Sequence, residues 1–147
     1  MPPAFVHPCT AAPGGWYRGS FHGHCSQNSG CASVPLRDSV AWYAGHGADF
    51  VALTDHDRVT PLREMRDMFP TLVLLEGFEY SSCENLLFVG ERVGPFYELP
   101  LAQALRRRGE SVLAVVCHPQ PHADGREYWT LEKLLRLGSL PDGIEVY

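Results

Sequence analysis

Apolar residues fall in short blocks separated by polar or glycine-containing breaks, and the blocks follow two different periods. "ADFVALT", residues 48–54, is an almost unbroken apolar run, the pattern of a strand covered on both faces in a sheet flanked by helices. "VPLRDSVAWYAGHG" instead spaces Leu36, Val40 and Tyr43 on one helical face, with Pro35 suited to a first turn. "TPLREMRDMF" repeats that signature: Thr60 is a candidate N-cap, Pro61 a first helical residue, and Leu62, Met65 and Phe69 share a face. A short strand around "RGSFHGH" comes before these. After them come strands "TLVLLEGFEY" and "NLLFVG", helix "LPLAQALRRRG", strand "SVLAVVCHP", helix "TLEKLLRLG" with Leu131, Leu134 and Leu135 aligned, and the final "GIEVY". Strands alternating with helices predict the α/β class.

Residues 1–15 are rich in Pro, Gly and Ala without periodicity and read as a flexible lead-in. The domain is expected to span 16–147, with Trp16 and Tyr17 packed at the bottom of the sheet. "GIEVY" has the look of a buried strand with nothing after it to cover its edge, so the expectation is the N-terminal portion of a longer domain.

A chain of 147 residues, 45% hydrophobic and 11% aromatic, suits a single globular domain. Its formal charge of −5 argues against a broad nucleic-acid footprint and leaves small or localised partners. No stretch approaches the ~20 apolar residues of a membrane span, and the N-terminus lacks the basic start and apolar core of a signal peptide. A cytoplasmic location is the expectation. The five cysteines, at 9, 25, 31, 83 and 117, form no CxxC pair and read as reduced thiols.

Chemistry-bearing residues recur where strands end: His22 and His24, then Asp55-His56-Asp57, Glu79, and His118. Carboxyl ends of strands are where α/β folds assemble their sites, because the strands fix the backbone and the loops leave the last side chains open. In an extended segment His22 and His24 point to the same side, and Gly23 leaves the opposite face uncrowded. With seven histidines, one such pair arises by chance about one time in three, so the pair is weak evidence alone. Each feature also has a plain structural reading: backbone-bonded histidines, a helix cap at Asp55-His56-Asp57, an exposed edge strand at Glu79, a satisfied buried histidine at 118. Those readings must all hold at four successive strand ends to dismiss a site. The Arg106–Arg108 run reads as a solvated helix end that complements the dipole, with a phosphate clamp as the alternative. Alternation turns Cys25 and Cys117 away from inward-facing histidines, and His122 is a loop-borne candidate.

Taken in order, "YRGSFHGHCSQNSG", "GADFVALTDHD", "LEGFEYSS", "LAVVCHP" and "DGIEVY" resemble the polymerase and histidinol phosphatase (PHP) family of metal-dependent phosphoesterases, over residues 16–147. The resemblance implies a distorted (β/α)7 barrel with up to three divalent ions, zinc, manganese or iron, at its carboxyl rim. It implies His22 and His24 as ligands of a first metal, Glu79 as a bridging carboxylate, His118 on a second metal and His56 on a third, with Asp55 behind them as an orienting residue. The family's last motif, an Asp and a His, would lie beyond Tyr147. Two positions depart from the family pattern. Ser29 stands where relatives commonly carry an acidic residue or His, and Asn85, a weak ligand at best, where many carry His.

The function expected from this resemblance is hydrolysis of a small phosphate ester by metal-activated water, which needs no protein nucleophile. Two alternatives stay open: a metal-dependent hydrolase of a non-phosphate substrate, and a non-catalytic metal-binding or regulatory module. The substrate, metal and oligomeric state are not legible.

Overall fold

β1 (Gly19–Ser20) and β2 (Phe50–Leu53) begin a single sheet that continues through β3 (Val73–Tyr80), β4 (Leu86–Gly90), β5 (Val112–Val116) and β6 (Gly143–Ile144), each strand beside the next in chain order. The computed structural model describes residues 14–82, 84–121 and 125–146, so most of the lead-in and His122 lie outside the described residues. The protein is mixed α/β, its six-stranded sheet curled into a partial barrel. The helices are α1 (Leu36–Gly45), α2 (Arg63–Met68), α3 (Leu101–Arg107) and α4 (Leu131–Arg136), with a 3-10 turn at Gly94–Glu98 before α3.

All neighbouring strands are parallel except around β4, which runs antiparallel to both β3 and β5. The reason is covalent: residues 81–85 suffice for a hairpin but fall well short of the dozen or so a parallel crossover needs. The consequence is functional. Tyr80 pairs with Leu86, so the amino end of β4, and Asn85 before it, stands at the same rim as the carboxyl end of β3.

The period-two alternation divides the strands between two apolar layers. Val51, Leu53 and Leu74 pack with Val40 of α1 and Met65 of α2 on the helical side, while Ala52 points the other way, to Leu87, Val89 and Cys117. Phe78, Leu86, Phe88, Ala114 and Val116 pack outward with Leu101, Ala104 and Leu105 of α3 and with Trp129. Glu79 follows Phe78 and therefore faces the concave side, a placement that a one-residue slip of register would reverse.

Several local expectations differ in the structure. Helix α2 starts at Arg63, not Pro61, because the Thr60 hydroxyl is engaged by Asp55 and Asn28 and does not cap. Trp16 and Tyr17 are exposed and do not pack beneath the sheet. Helix α4 is capped by Thr130, which accepts from Lys133 N at 3.2 Å, but its aligned Leu131 and Leu135 remain exposed. Arg108 is neither a clamp nor free in solvent. It holds Asp142 through Nη2–Oδ1 at 2.8 Å and Nε–Oδ2 at 3.2 Å, and Asp142 Oδ2 also accepts from Ala114 N at 2.8 Å.

This triangle secures β6. Desolvation pushes the Asp142 carboxyl up, but the hydrogen bonds from Arg108 and Ala114 outweigh it and leave the group below its ordinary value. Its contribution is therefore complete above the unfolded value of about 3.9 and is lost as pH falls through the lower folded value. Amide-exchange protection at Ala114 is expected to hold above about pH 4 and to fall as pH is lowered below it; unchanged protection would show that β6 is held by other means.

Candidate metal centre

The backbone between His22 and His24 is pinned to the end of β2. Gly23 N donates to Thr54 Oγ1 at 3.1 Å, and Gly23 O accepts from Thr54 N at 2.7 Å. A Cβ at residue 23 would stand 3.0 Å from Ala52 O, so glycine permits this close approach. Both histidines lie just past β1 rather than within it, yet both turn to one side: their Nε2 atoms are 3.0 Å apart.

These nitrogens converge on Glu79, which is fully buried. Glu79 Oε2 lies 3.2 Å from His22 Nε2, 3.1 Å from His24 Nε2 and 3.2 Å from His56 Nδ1, and Oε1 lies 3.2 Å from His118 Nε2. Four strand ends thus deliver an imidazole or a carboxylate to one point. Burial alone would raise the Glu79 pKa, but hydrogen bonds from His118, His22, His24 and Asn85 outweigh it and hold the carboxyl far below the usual range. Burial likewise pulls His22 down, while its hydrogen bonds to Glu79 and Glu145 leave it above the ordinary imidazole value. The field at this point favours positive charge.

The hydrogen bonds around the rim orient the histidines. Glu145, just past β6, accepts from His22 Nδ1 at 2.6 Å, and its other oxygen accepts from His118 N at 2.6 Å. His118 takes a positive φ of 29°, a strained conformation for a non-glycine residue and one that clusters at functional sites. The buried Ser29 hydroxyl donates to Asp55 Oδ1 at 2.6 Å, leaving its oxygen to accept from His24 Nδ1 at 3.2 Å and His56 N at 3.2 Å. That uses one donor and two lone pairs, the whole capacity of a hydroxyl. Nδ1 of His22 and of His24 is thereby occupied by Glu145 and Ser29, and Nε2 is the atom each turns toward Glu79, the arrangement that outer partners impose on metal-binding histidines.

Asp55 is fully buried and accepts from Cys25 N at 2.8 Å, Cys25 Sγ at 3.1 Å, Ser29 and Thr60. Desolvation raises its pKa, and those hydrogen bonds more than reverse the shift. It is a positioning residue that reaches His24 and His56 through Ser29. Asp57 binds Ser81 N and Oγ at 2.8 and 2.6 Å and ties off β3 instead of joining the cluster. Asn85, a weak ligand at best, donates its Nδ2 to Glu79 Oε1 and so orients the carboxylate, while its buried Oδ1 has no hydrogen-bond partner among the described residues.

Three overlapping groups of donors could hold an ion: His22, His24 and Glu79; His24, Cys31 and His56; and His22, Cys117, His118 and Glu145. Within each, the donor atoms lie within 4.8 Å of one another. The separations of 3.0–3.2 Å at Glu79 suit neighbouring ligands on one ion with bonds of ~2.0–2.2 Å. Among the described residues the buried His56 Nδ1 has no hydrogen bond of good geometry and lies 3.2 Å from Glu79 Oε2, so it is available to an ion. Imidazole with carboxylate is a donor set for zinc, manganese or iron, so the residues fit a divalent metal. His56, expected to serve a separate third ion, stacks on His24 with centroids 4.6 Å apart and shares the same carboxylate.

Sequence reasoning missed two members. Glu145 ends a strand as the other candidates do, and the same rule extended to "GIEVY" would have found it. Cys31 Sγ lies 3.3 Å from His56 Nε2, and no periodicity marks it. Cys25 gives its thiol to Asp55, away from the histidines, whereas Cys117, its thiol pushed up by burial, Glu79 and Glu145, falls within reach of His22 and His118.

Ser29→Ala is expected to weaken divalent-ion affinity about 10- to 100-fold, the usual effect of removing an outer partner of a ligand. Competition with a chromophoric chelator measures it; wild-type affinity in a folded Ser29→Ala protein would show that the hydroxyl does not set His24. No protein-family model matches the chain, and no curated protein matches it in sequence.

Proposed function

We propose that this rim binds one to three divalent ions and that the chain is the metal-binding portion of a PHP-type barrel that hydrolyses small phosphate esters. The observation that carries the reading is the convergence of His22, His24, His56 and His118, from three chain segments, within 3.2 Å of the buried Glu79 carboxylate. The order of the sequence motifs supports the family reading, and the curled sheet is compatible with it.

A divalent ion bound here would supply two things: water acidified toward neutral pH and an offset to charge on the phosphoryl oxygens. The chain's residues do the rest. His22, His24 and Glu79 would hold the ion, with His118 and His56 on its flanks. Glu145 occupies Nδ1 of His22, Ser29 does the same for His24, and Asn85 fixes the Glu79 carboxylate.

The test is hydrolysis of p-nitrophenyl phosphate by the manganese- or zinc-loaded chain. Turnover is expected to fall to background on EDTA treatment and in His22→Ala, and to return when metal is restored to the wild type. Turnover that survives both treatments overturns the reading. Tight metal binding without phosphatase activity, but with cleavage of an amide or lactone, would favour the non-phosphate hydrolase; binding with no hydrolysis at all would favour the regulatory module.

A further inference from the structure

Two hollows border the rim. One, of about 370 Å³, touches His22 and Glu145, but its remaining walls include Gly19, Ser20, Leu87 and Val115, so it is the gap between the two edges of the sheet. The other, of about 590 Å³, opens on the far side of His24 and Cys31, between the loop after β1 and helix α1. Its walls include Val34, Trp42 and Tyr43, and Asp38 stands among them. The volume is that of a small-molecule site.

The composition of this second hollow is specific. Trp42 is 58% exposed, so its indole buries little of its own surface in the fold. The ring is nonetheless braced: His46 stacks on it at 4.1 Å and Tyr43 meets it edge-on at 5.4 Å. The Asp38 carboxylate engages no described residue. A rigid aromatic surface favours a flat ring, and an unpaired carboxylate favours hydrogen-bond donors while repelling a second anion.

We infer that this hollow receives the leaving group of the ester and selects a flat aromatic group bearing hydrogen-bond donors. The inference rests on the phosphoesterase reading for the ester, and on the walls of the hollow alone for the ring. His24 belongs both to the ligand cluster and to the wall of the hollow, so a phosphoryl group at the rim places the other half of its ester beside Trp42.

Adenosine 5′-monophosphate and ribose 5-phosphate present the same phosphate ester and differ by the base. The metal-loaded full chain is expected to prefer the nucleotide in kcat/KM by about tenfold or more, as stacking of one base on an aromatic side chain would give. That ratio is expected to fall toward one in Trp42→Ala. Independently of turnover, adenosine without phosphate is expected to quench the tryptophan fluorescence of the metal-free chain, with the saturable part lost in Trp42→Phe. Asp38→Ala is expected to erase a preference for adenosine over inosine, which lacks the exocyclic amine. Equal kcat/KM for the two esters with no quenching would overturn the inference and leave the phosphoesterase reading standing. Saturable quenching with no hydrolysis of any ester would uphold the hollow as a ring-binding site and sink the phosphoesterase reading.

Discussion

Glu79→Gln is expected to lower the affinity of the chain for manganese or zinc by about a hundredfold or more, beyond the 10- to 100-fold typical of an outer partner, because it removes the charge on which the histidines converge. The amide keeps the volume and can still accept from His118 and Asn85, so circular dichroism should show the fold intact. Isothermal titration of the ion against both proteins makes the comparison. Glu76→Gln, three residues earlier and bonded to Arg66 at 2.9 Å, is the control and should bind as wild type does. If Glu79→Gln binds metal with wild-type affinity, the carboxylate is not a ligand and the converging imidazoles serve another purpose.

The largest loss of stability is expected from Phe78→Ala. Phe78 is fully buried beside Glu79 in the chain and stacks on Phe88 with centroids 5.3 Å apart and rings within 14° of parallel. Truncating a buried Phe costs about 3–5 kcal/mol, a fall of roughly 10–20 °C in Tm for a domain of this size. Leu135→Ala, at a residue 74% exposed, should shift stability by no more than about 0.5 kcal/mol. A Phe78→Ala loss below about 1 kcal/mol would mean that the layer under α3 is not the core described above. The two substitutions also separate function from stability: adjacent residues on opposite faces of β3, one expected to lose the ion and keep the fold, the other to weaken the fold.

Much of the site was legible because strands announce where they end. Apolar runs closing on His24, His56, Glu79 and His118 are visible in one dimension, and the fold brings those ends together. Direction was legible but unread: the short link of residues 81–85 already forced β4 to turn back, and with it brought Asn85 to Glu79. Other features needed the third dimension. Ser29 looks like a missing ligand in sequence, whereas its hydroxyl is fully used in joining Asp55, His24 and His56. Thr60 has the right residue type to cap α2, but a buried carboxylate competes for it. Periodicity in α4 shows that Leu131 and Leu135 share a face and is silent on what lies against that face.

Among the described residues the two edge strands, β1 and β6, share no backbone ladder, and a side-chain bond joins His22 to Glu145 across their ends. An ion held by His22 on one side and by His118 and Glu145 on the other would therefore act as a rivet across an open seam, making folding answer to the ion supply. Each tenfold rise in free ion above the dissociation constant would add about 1.4 kcal/mol to the folded state, so the melting temperature of this chain would work as a gauge of the metal around it.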